Sequence, residues 1–495
     1  MARQEQVIAA FNRGRVSRFA LSRTEVKRIA LSAEVQTNYV PRVLGSMSLR
    51  PGLQYIGATY GNAAAKYIPF VYSTTDKALL EFTDSLMRVW VSDALVTRAS
   101  VTSVVPALST WTDADEGSAV STAGATLIFV GDGAGAARRY TAVATANAGT
   151  VHALRIVVSL SSVTLRIGTS STDDSYVNET TLRTGTHSIA FTPAGTYYIT
   201  LMSRNIPVSQ VSSCVTEAAG TLTLPTPYTS GYLSLIRNDQ SGDIVFIACN
   251  GLQQRMIERR ANNSWSVVLY TPNDGPFKSI NTGPITIAAS ALTGDVTLTA
   301  SNALFKSTQV GGLYQLTSEG QSTSRSITAQ NTFAPATGEF VVTGVGTDRT
   351  FTITISGLTG TGSTVTLQRS VGVVGSWSDV PLSSWTADTV STYADELDNQ
   401  TVYYQIGVKT GGYAGGTIVC SLSISTGSVT GVVRVSAFSS STSVTAKVLS
   451  ALGGTAATDL WKEGEWSDKN GWPTSVKIHE GRMCWAGQNG IWETV

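Results

Sequence analysis

From about residue 106 onward the chain is written in period two. Leu154, Ile156, Val158 and Leu160 share one face, and Val163, Leu165 and Ile167 resume the alternation after Ser161-Ser162. Two apolar runs split by a short polar pair predict a hairpin. Ile189 and Phe191 before Thr192-Pro193-Ala194-Gly195, with Ile199 and Leu201 after it, predict another. Such strands fill 106–222, between Pro106 and Pro225-Thr226-Pro227, and predict a self-contained jelly-roll-like sandwich. Residues 223–330 add strands such as Asp243–Cys249 and Ser264–Tyr270. A further unit, 331–427, alternates through Phe351, Ile353 and Ile355, then Val365 and Leu367. It continues through Val402, Tyr404, Ile406 and Val408, then Ile418, Cys420, Leu422 and Ile424. About 95 residues with this spacing match an immunoglobulin or fibronectin-type sandwich. Leu397, upstream of Tyr404, has the spacing of a tyrosine corner; an ordinary in-facing tyrosine fits equally well.

Only the N-terminal segment reads as helix. Ser22-Arg23-Thr24-Glu25 has the form of a capping box, and Val26, Ile29, Ala30 and Ala33 follow as one apolar stripe. Asn38 and Pro41 end it, and Arg50-Pro51-Gly52 breaks the β-type region beyond. The last stretch, 428–495, returns to strands and gathers Trp461, Trp466, Trp472, Trp485 and Trp492. The expected fold class is therefore mainly β and multi-domain. A short helical segment opens a β-rich, platform or propeller-like body (1–105, 223–330 and 428–495) that carries two inserted sandwiches (106–222 and 331–427).

Composition narrows the class. The chain has 495 residues, 42% apolar and only 14% charged, so its polarity comes from Ser, Thr, Gly and Asn, as in long-lived β-rich assemblies. With 35 basic and 34 acidic side chains the net charge is +1, which argues against a dedicated duplex binder and does not exclude a wall along which DNA slides. Cys214, Cys249, Cys420 and Cys484 are far apart and mostly in apolar runs, the pattern of buried free thiols. The charged N-terminus lacks the apolar core of a signal peptide, and no run approaches the roughly 20 apolar residues of a membrane span.

Catalytic chemistry is sparse. His152, His187 and His479 are scattered, and no nucleophile-elbow, zinc-protease or Walker motif occurs. Gly131-Asp132-Gly133-Ala134-Gly135-Ala136 fits a dinucleotide fingerprint after the strand-like Thr126–Val130, but strand follows where that fold needs a helix, so a hairpin tip is expected. Asp113-Ala114-Asp115-Glu116-Gly117 begins like a calcium loop and lacks its later ligands; a structural calcium there is the one cofactor the sequence leaves room for. Asp173-Asp174 and Glu258 read as turn carboxylates before they read as a glycosidase pair. The expectation is a protein that is not an enzyme.

The block Leu21–Gly57 resembles the opening of the podoviral tail tubular protein B, or short-tail nozzle, family: a helix ending near an aromatic, a polar turn, then an entry matched by Arg50, Pro51, Gly52 and Tyr55. Ile68–Ser73, Leu80-Glu81-Phe82 and Met87–Trp90 are similar to the family's paired strands. Residues 255–277, with Arg255, Glu258-Arg259-Arg260, Trp265 and Tyr270, look like another family segment, as does Gly312–Leu316. Trp461, Trp466, Trp472 and Pro473, then His479-Glu480-Gly481-Arg482, resemble a third. The matches cover about half the chain in family order, and the sandwich at 106–222 is carbohydrate-binding-like in outline.

The resemblance implies a hexameric ring in the virion tail, assembled in the host cytoplasm. It would sit below a tail tubular protein A-like adaptor, near fibres or spikes, and pass phage DNA without sequence-specific binding or membrane insertion. Arg50, Pro51, Gly52 and Tyr55, with Trp461, Trp466, Trp472 and Pro473, are the candidate platform against the adaptor. In that family the C-terminal blocks run on well past the position of Val495, so either this sequence is a partial copy or the distal portion is absent here, and the resemblance does not extend to the nozzle tip. The alternative is a glycan-binding tail component, with Tyr176, Tyr197 and Tyr198 as local candidates for stacking on sugar.

Overall fold

The structure is a computed structural model and describes residues 10–20, 22–23, 25–336, 339–487 and 490–494. About half of the chain is strand and about a twentieth helix, so the mainly β, multi-domain class is observed. Two compact units are formed, Met1–Ala58 and Thr59–Val495.

The first unit has very little regular structure. Its strands Tyr39–Pro41 and Met47–Leu49 pair antiparallel. The predicted helix is a single turn, Lys27–Ala30, preceded by Val26 with no side-chain cap. Thr24 of the expected capping box lies outside the described residues, and Glu25 pairs with Arg23 at 2.9 Å. Ala33 leaves the helical stripe to bridge Arg15. A helix this short is not self-sustaining without burial of its apolar face, and no described apolar side chain of this unit is buried apart from partial cover.

The second unit begins with a meander, Lys66–Val71, Lys77–Thr83 and Leu86–Val91, whose alternate residues Ile68, Phe70, Leu80, Phe82, Met87 and Val89 are fully buried. They face a second meander, Arg237–Ser241, Ile244–Cys249, Leu252–Ala261 and Ser264–Leu269, with Trp265 at the centre of the shared core. That second meander is half of a nine-stranded sheet. Ser264–Leu269 pairs with Gly185–Phe191, and the sheet runs on through His152–Leu160, Ser209–Thr216, Leu127–Val130 and Val120–Ala123.

This far half packs on a five-stranded sheet, Val177–Leu182, Val163–Gly168, Tyr197–Ser203, Ala137–Val143 and Thr112–Asp113, around the core of a sandwich. Both predicted hairpins are corrected here. His152–Leu160 and Val163–Gly168 lie in opposite sheets, as do Gly185–Phe191 and Tyr197–Ser203. Leu154, Ile156 and Val158 meet Val163, Leu165 and Ile167 across the core rather than along a ladder. Ser161, at φ 58°, turns the chain between layers.

Glu217 ties the sandwich to its surroundings. It accepts from Arg155 Nε at 2.6 Å and Ser188 Oγ at 2.6 Å and pairs with Arg98, whose Nη2 also donates to the Asn263 carbonyl at 2.9 Å.

The remainder hangs on two long strands, Leu313–Ile327 and Ile418–Ser440, paired from Leu313↔Arg434 to Ile327↔Ile418 with one irregularity at Gly320. At one end they join Asp295–Ala300, Ser443–Ser450 and Trp461–Glu463 over a core that includes Tyr314, Val433 and Trp461. At the other they carry Thr350–Ser356 and Thr389–Ala394 and face the sheet of Val365–Val371, Ser378–Trp385 and Val402–Val408. Phe351, Ile353, Ile355, Leu367, Tyr404, Ile406 and Cys420 fill that second core, as their alternation predicts. A border at 427 therefore falls inside a continuous strand.

Tyr404 forms a corner through a carboxylate. Its hydroxyl donates to Asp395 Oδ2 at 2.7 Å, and Arg349 closes a two-point pair on Asp395 at 2.9 and 2.8 Å. Both charged side chains are almost fully buried, at 1% and 0% exposure. Arg349 Nη1 also donates to the Gln400 carbonyl at 2.8 Å, so every charge faces a partner. Removing one member leaves the other charge stranded. Asp395→Ala is expected to lower stability by about 3–5 kcal/mol and Tyr404→Phe by about 1–2 kcal/mol, read by urea denaturation with tryptophan fluorescence. A loss for Asp395→Ala no larger than that for an exposed alanine substitution would show that the pair does not hold this sandwich.

Candidate functional site

The candidate platform residues fall into different settings. In the first unit, Arg50 Nε donates to Asn38 Oδ1 at 2.8 Å and the Arg50 amide to the Asn38 carbonyl at 2.8 Å, which closes the short hairpin. Pro51 and Gly52 follow in exposed irregular chain, and Tyr55 is 80% exposed. The tryptophans of the second unit are interior. Trp461 donates to the Ile285 carbonyl at 2.8 Å and packs on Tyr314. Trp466 and Trp472 belong to another cluster, with Trp485, Val476 and Ala248, and Pro473 is buried beside them. Trp472 Nε1 is held by Asp468 at 2.6 Å. Within the second unit these rings join elements; they do not form a surface.

The sequence blocks at 68–90, 255–277, 312–316 and 461–485 meet in space. Arg259 lies between Asp76 and Asp243, at 2.8 and 2.9 Å, with its guanidinium over Phe70 and Tyr72. Trp265 stands edge-on to Phe70 at 5.1 Å. These contacts join residues 68–82 to 255–277. Leu316 pairs with Trp461 in a ladder, and Tyr270 packs on Trp466 and Trp485, which joins 270 and 312–316 to 461–485. In the meander, buried Glu81 accepts from Arg88 Nη2 at 2.7 Å and from Trp90 Nε1 at 2.7 Å. The two segments outside these blocks build cores of their own.

The candidate chemical residues are engaged with protein. Gly131–Ala136 is not the expected hairpin tip: it links Leu127–Val130 in the nine-stranded sheet to Ala137–Val143 in the five-stranded one, an arch across the sandwich. Asp132 accepts there from Ser118 Oγ at 2.7 Å and the Ala134 amide at 2.9 Å, and these bonds, with that of Ser118 first, hold its carboxyl well below the usual range. Beside it, Asp115 accepts from the Ser121 amide at 2.6 Å and Glu116 pairs with Arg138, so the calcium-like loop already faces amide and guanidinium donors. No group of three His, Cys, Asp or Glu side chains converges as a metal site among the described residues.

Asp173 is held down to about 2 by Ser175 and then Thr169. Glu258 pairs with Arg183 and Arg260. The three cysteines Cys214, Cys249 and Cys420 are buried and free; Cys484 is partly exposed. The tyrosines expected to stack on sugar form no platform. Tyr197 is fully buried, Tyr176 packs on the same core, and Tyr198 stands 6.3 Å from Tyr140 on the sheet face.

Two surface properties of the chain escaped the pattern-based reading. Val43 and Leu44 are 92% and 98% exposed, and Phe19, Leu49 and Leu53 are also open. Residues 1–58 carry nine Lys/Arg and three Asp/Glu, against 26 and 31 in 59–495, so their formal charges are +6 and −5. The overall +1 conceals two opposed units. Counting charge by segment would have exposed this.

No protein-family model matches the chain, and no curated protein matches it. Among solved structures, the CBM22-1-CBM22-2 tandem of Xyn10C from Paenibacillus barcinonensis is 7% identical, with 72% of this chain and 99% of that chain covered, at a TM-score of 0.17. Procruciferin, an 11S globulin from Brassica napus, is 12% identical over 65% of this chain and 86% of its own, at 0.13. Pumpkin seed globulin is 9% identical over 65% and 87%, at 0.11. Likenesses this shallow carry no argument about this chain.

His187 yields a measurable consequence. Its ring is fully buried between Ser266 Oγ at 2.9 Å and the Arg183 carbonyl at 2.8 Å. Burial, then the nearby Arg260 charge, push its pKa from 6.5 down to about 3. The folded ring stays neutral where the unfolded one takes a proton, so its neutrality favours the native state above pH 6.5 and that advantage is lost as pH falls. Between pH 6.5 and 5 the wild type is expected to lose about 1–2 kcal/mol more than His187→Gln. Parallel stability–pH curves for the two proteins would show that the ring is protonated in the native state.

Proposed function

We propose that this chain is a structural subunit of the nozzle of a short-tailed phage tail, working in a ring below an adaptor and passing DNA through its lumen. The observation that carries the reading is the reunion of the resembling blocks. Segments at 68–90, 255–277, 312–316 and 461–485 are separated in sequence by two sandwiches, yet they pack on one another in three cores, around Trp265, Tyr314 and Trp485. A body with inserted modules is what the order of those blocks implies. The role is mechanical, and no reaction is assigned to it.

The first unit supports assembly. Fifty-eight residues with no buried apolar side chain among those described do not gain enough from burial to offset chain entropy. Its open Val43, Leu44 and Leu53 need a neighbouring copy or the adaptor to cover them. Opposite formal charges on the two units favour contact between copies. A wall built from the acidic second unit would repel phosphates rather than grip them, which suits passage of DNA.

Electron microscopy of the purified chain with its adaptor tests the reading; closed rings with an axial lumen are expected. Val43→Asp with Leu44→Asp should weaken ring formation at least about tenfold, equivalent to about 1.4 kcal/mol, by mass photometry. Single copies or trimers at fibre positions, without a lumen, would rule out the nozzle.

A further inference from the structure

Where the first sandwich, the second meander and the long strands converge, the second unit has a cleft of about 430 Å³ that is partly open to solvent. That is room for one or two sugar rings. Its wall is mixed. Ser159, Ser162, Thr184 and Asn205 supply hydroxyls and an amide from the sandwich side, while Leu269 and Leu449 supply apolar surface.

The charges are unbalanced. Arg434 lines the cavity and donates to the Gly311 carbonyl at 2.8 Å, to the Pro272 carbonyl and to Asn273 Oδ1 at 3.4 Å, all neutral acceptors. Among the described residues no carboxylate lies within 4.0 Å of it. Burial lowers its pKa to about 10, the direction expected of a guanidinium withdrawn from water without a counter-ion. Arg183 stands on the same wall and shares the single carboxylate of Glu258 with Arg260, whereas Lys447 is matched by Asp295 at 3.2 Å. The cavity therefore keeps a surplus of positive charge on two guanidinium groups. A guanidinium fork prefers planar oxyanions.

We infer that this cavity binds a carboxylated sugar, with Arg434 and Arg183 toward the carboxylate and the serine, threonine and asparagine side chains toward the hydroxyls. Phosphate alone would use the cations and leave the hydroxyl-rich wall idle. A neutral sugar would leave the buried guanidinium unmatched, and that difference is the basis of selection. The inference uses no residue of the first unit, so it stands or falls independently of the nozzle reading.

Calorimetric titration of the full chain with digalacturonate, galactobiose and inorganic phosphate decides it. Digalacturonate is expected to bind at least tenfold more tightly than either of the others. Arg183→Gln, at a half-exposed position, should weaken it several-fold, and Arg434→Lys should weaken it tenfold by keeping the charge and losing the fork. Leu449→Trp, which fills the cavity without touching charge, should abolish binding and keeps the test valid if Arg434→Lys fails to fold. Equal affinity for phosphate and digalacturonate, binding that survives Leu449→Trp, or no binding by the wild type would overturn the inference.

Discussion

Two β-strands in register cannot end independently, and that constraint organises the C-terminal half of the molecule. Leu313–Ile327 and Ile418–Ser440 share one ladder long enough to leave one hydrophobic core and enter another. Residues toward Tyr314 and Val433 serve the first core, and Ile327, Cys420 and Leu422 serve the second. A slip by one residue would turn both sets outward together. Among the described residues the ladder is relieved at Gly320, where φ is +66° and an added Cβ would meet the Ile424 carbonyl at 2.7 Å. The opposing strand passes from Ile424 to Ser428 while this one passes from Gln321 to Glu319, so the extra residues are absorbed at that point. A bulge at such a place re-aims the strands without breaking the ladder.

A similar sharing occurs in the N-terminal half. The nine-stranded sheet lends one half to the sandwich and the other to the core around Trp265. Glu217 stands near that join, with Arg98, Arg155 and Ser188 all directed at one carboxylate. A buried carboxylate with three donors is compensated as a set, so its partners constrain one another's elements. Modules that look inserted in the sequence are thus fused to the body by backbone ladders and by charge. Boundaries drawn at prolines mark composition more faithfully than they mark mechanics.

The sequence discloses strands better than it discloses their partners. Phe351, Ile353, Ile355, Tyr404 and Ile406 all sit in the core where period two places them. The same period misleads at Ser161-Ser162 and at Thr192–Gly195, because apolar alternation records only that a face is buried. Across an arch the two faces meet each other through the core, and along a hairpin they lie side by side; the pattern is identical. The helix after Ser22 fails for a related reason. Its stripe of Val26, Ile29 and Ala30 describes a face that wants cover, and within the described first unit no core exists to supply it. The cavity beside Arg434 could not be read from sequence at all, since its walls come from positions near 160, 184, 205, 270, 311, 434 and 449.

Net charge is the most deceptive of the global quantities. A value of +1 suggests a surface indifferent to polyanions, yet it is the sum of a basic first unit and an acidic second one. Fields of exposed charges are screened over about 8 Å at physiological ionic strength, so a partner at either unit meets that unit's field and not the sum. The basic first unit is also the one with open Val43, Leu44 and Leu53. In the proposed ring, hydrophobic cover and charge would therefore act at the same place: attraction would bring an acidic neighbour close, and short-range burial would hold it. Were the basic residues spread evenly, the apolar end would be no more attractive to one surface than to another, and association would lose its direction.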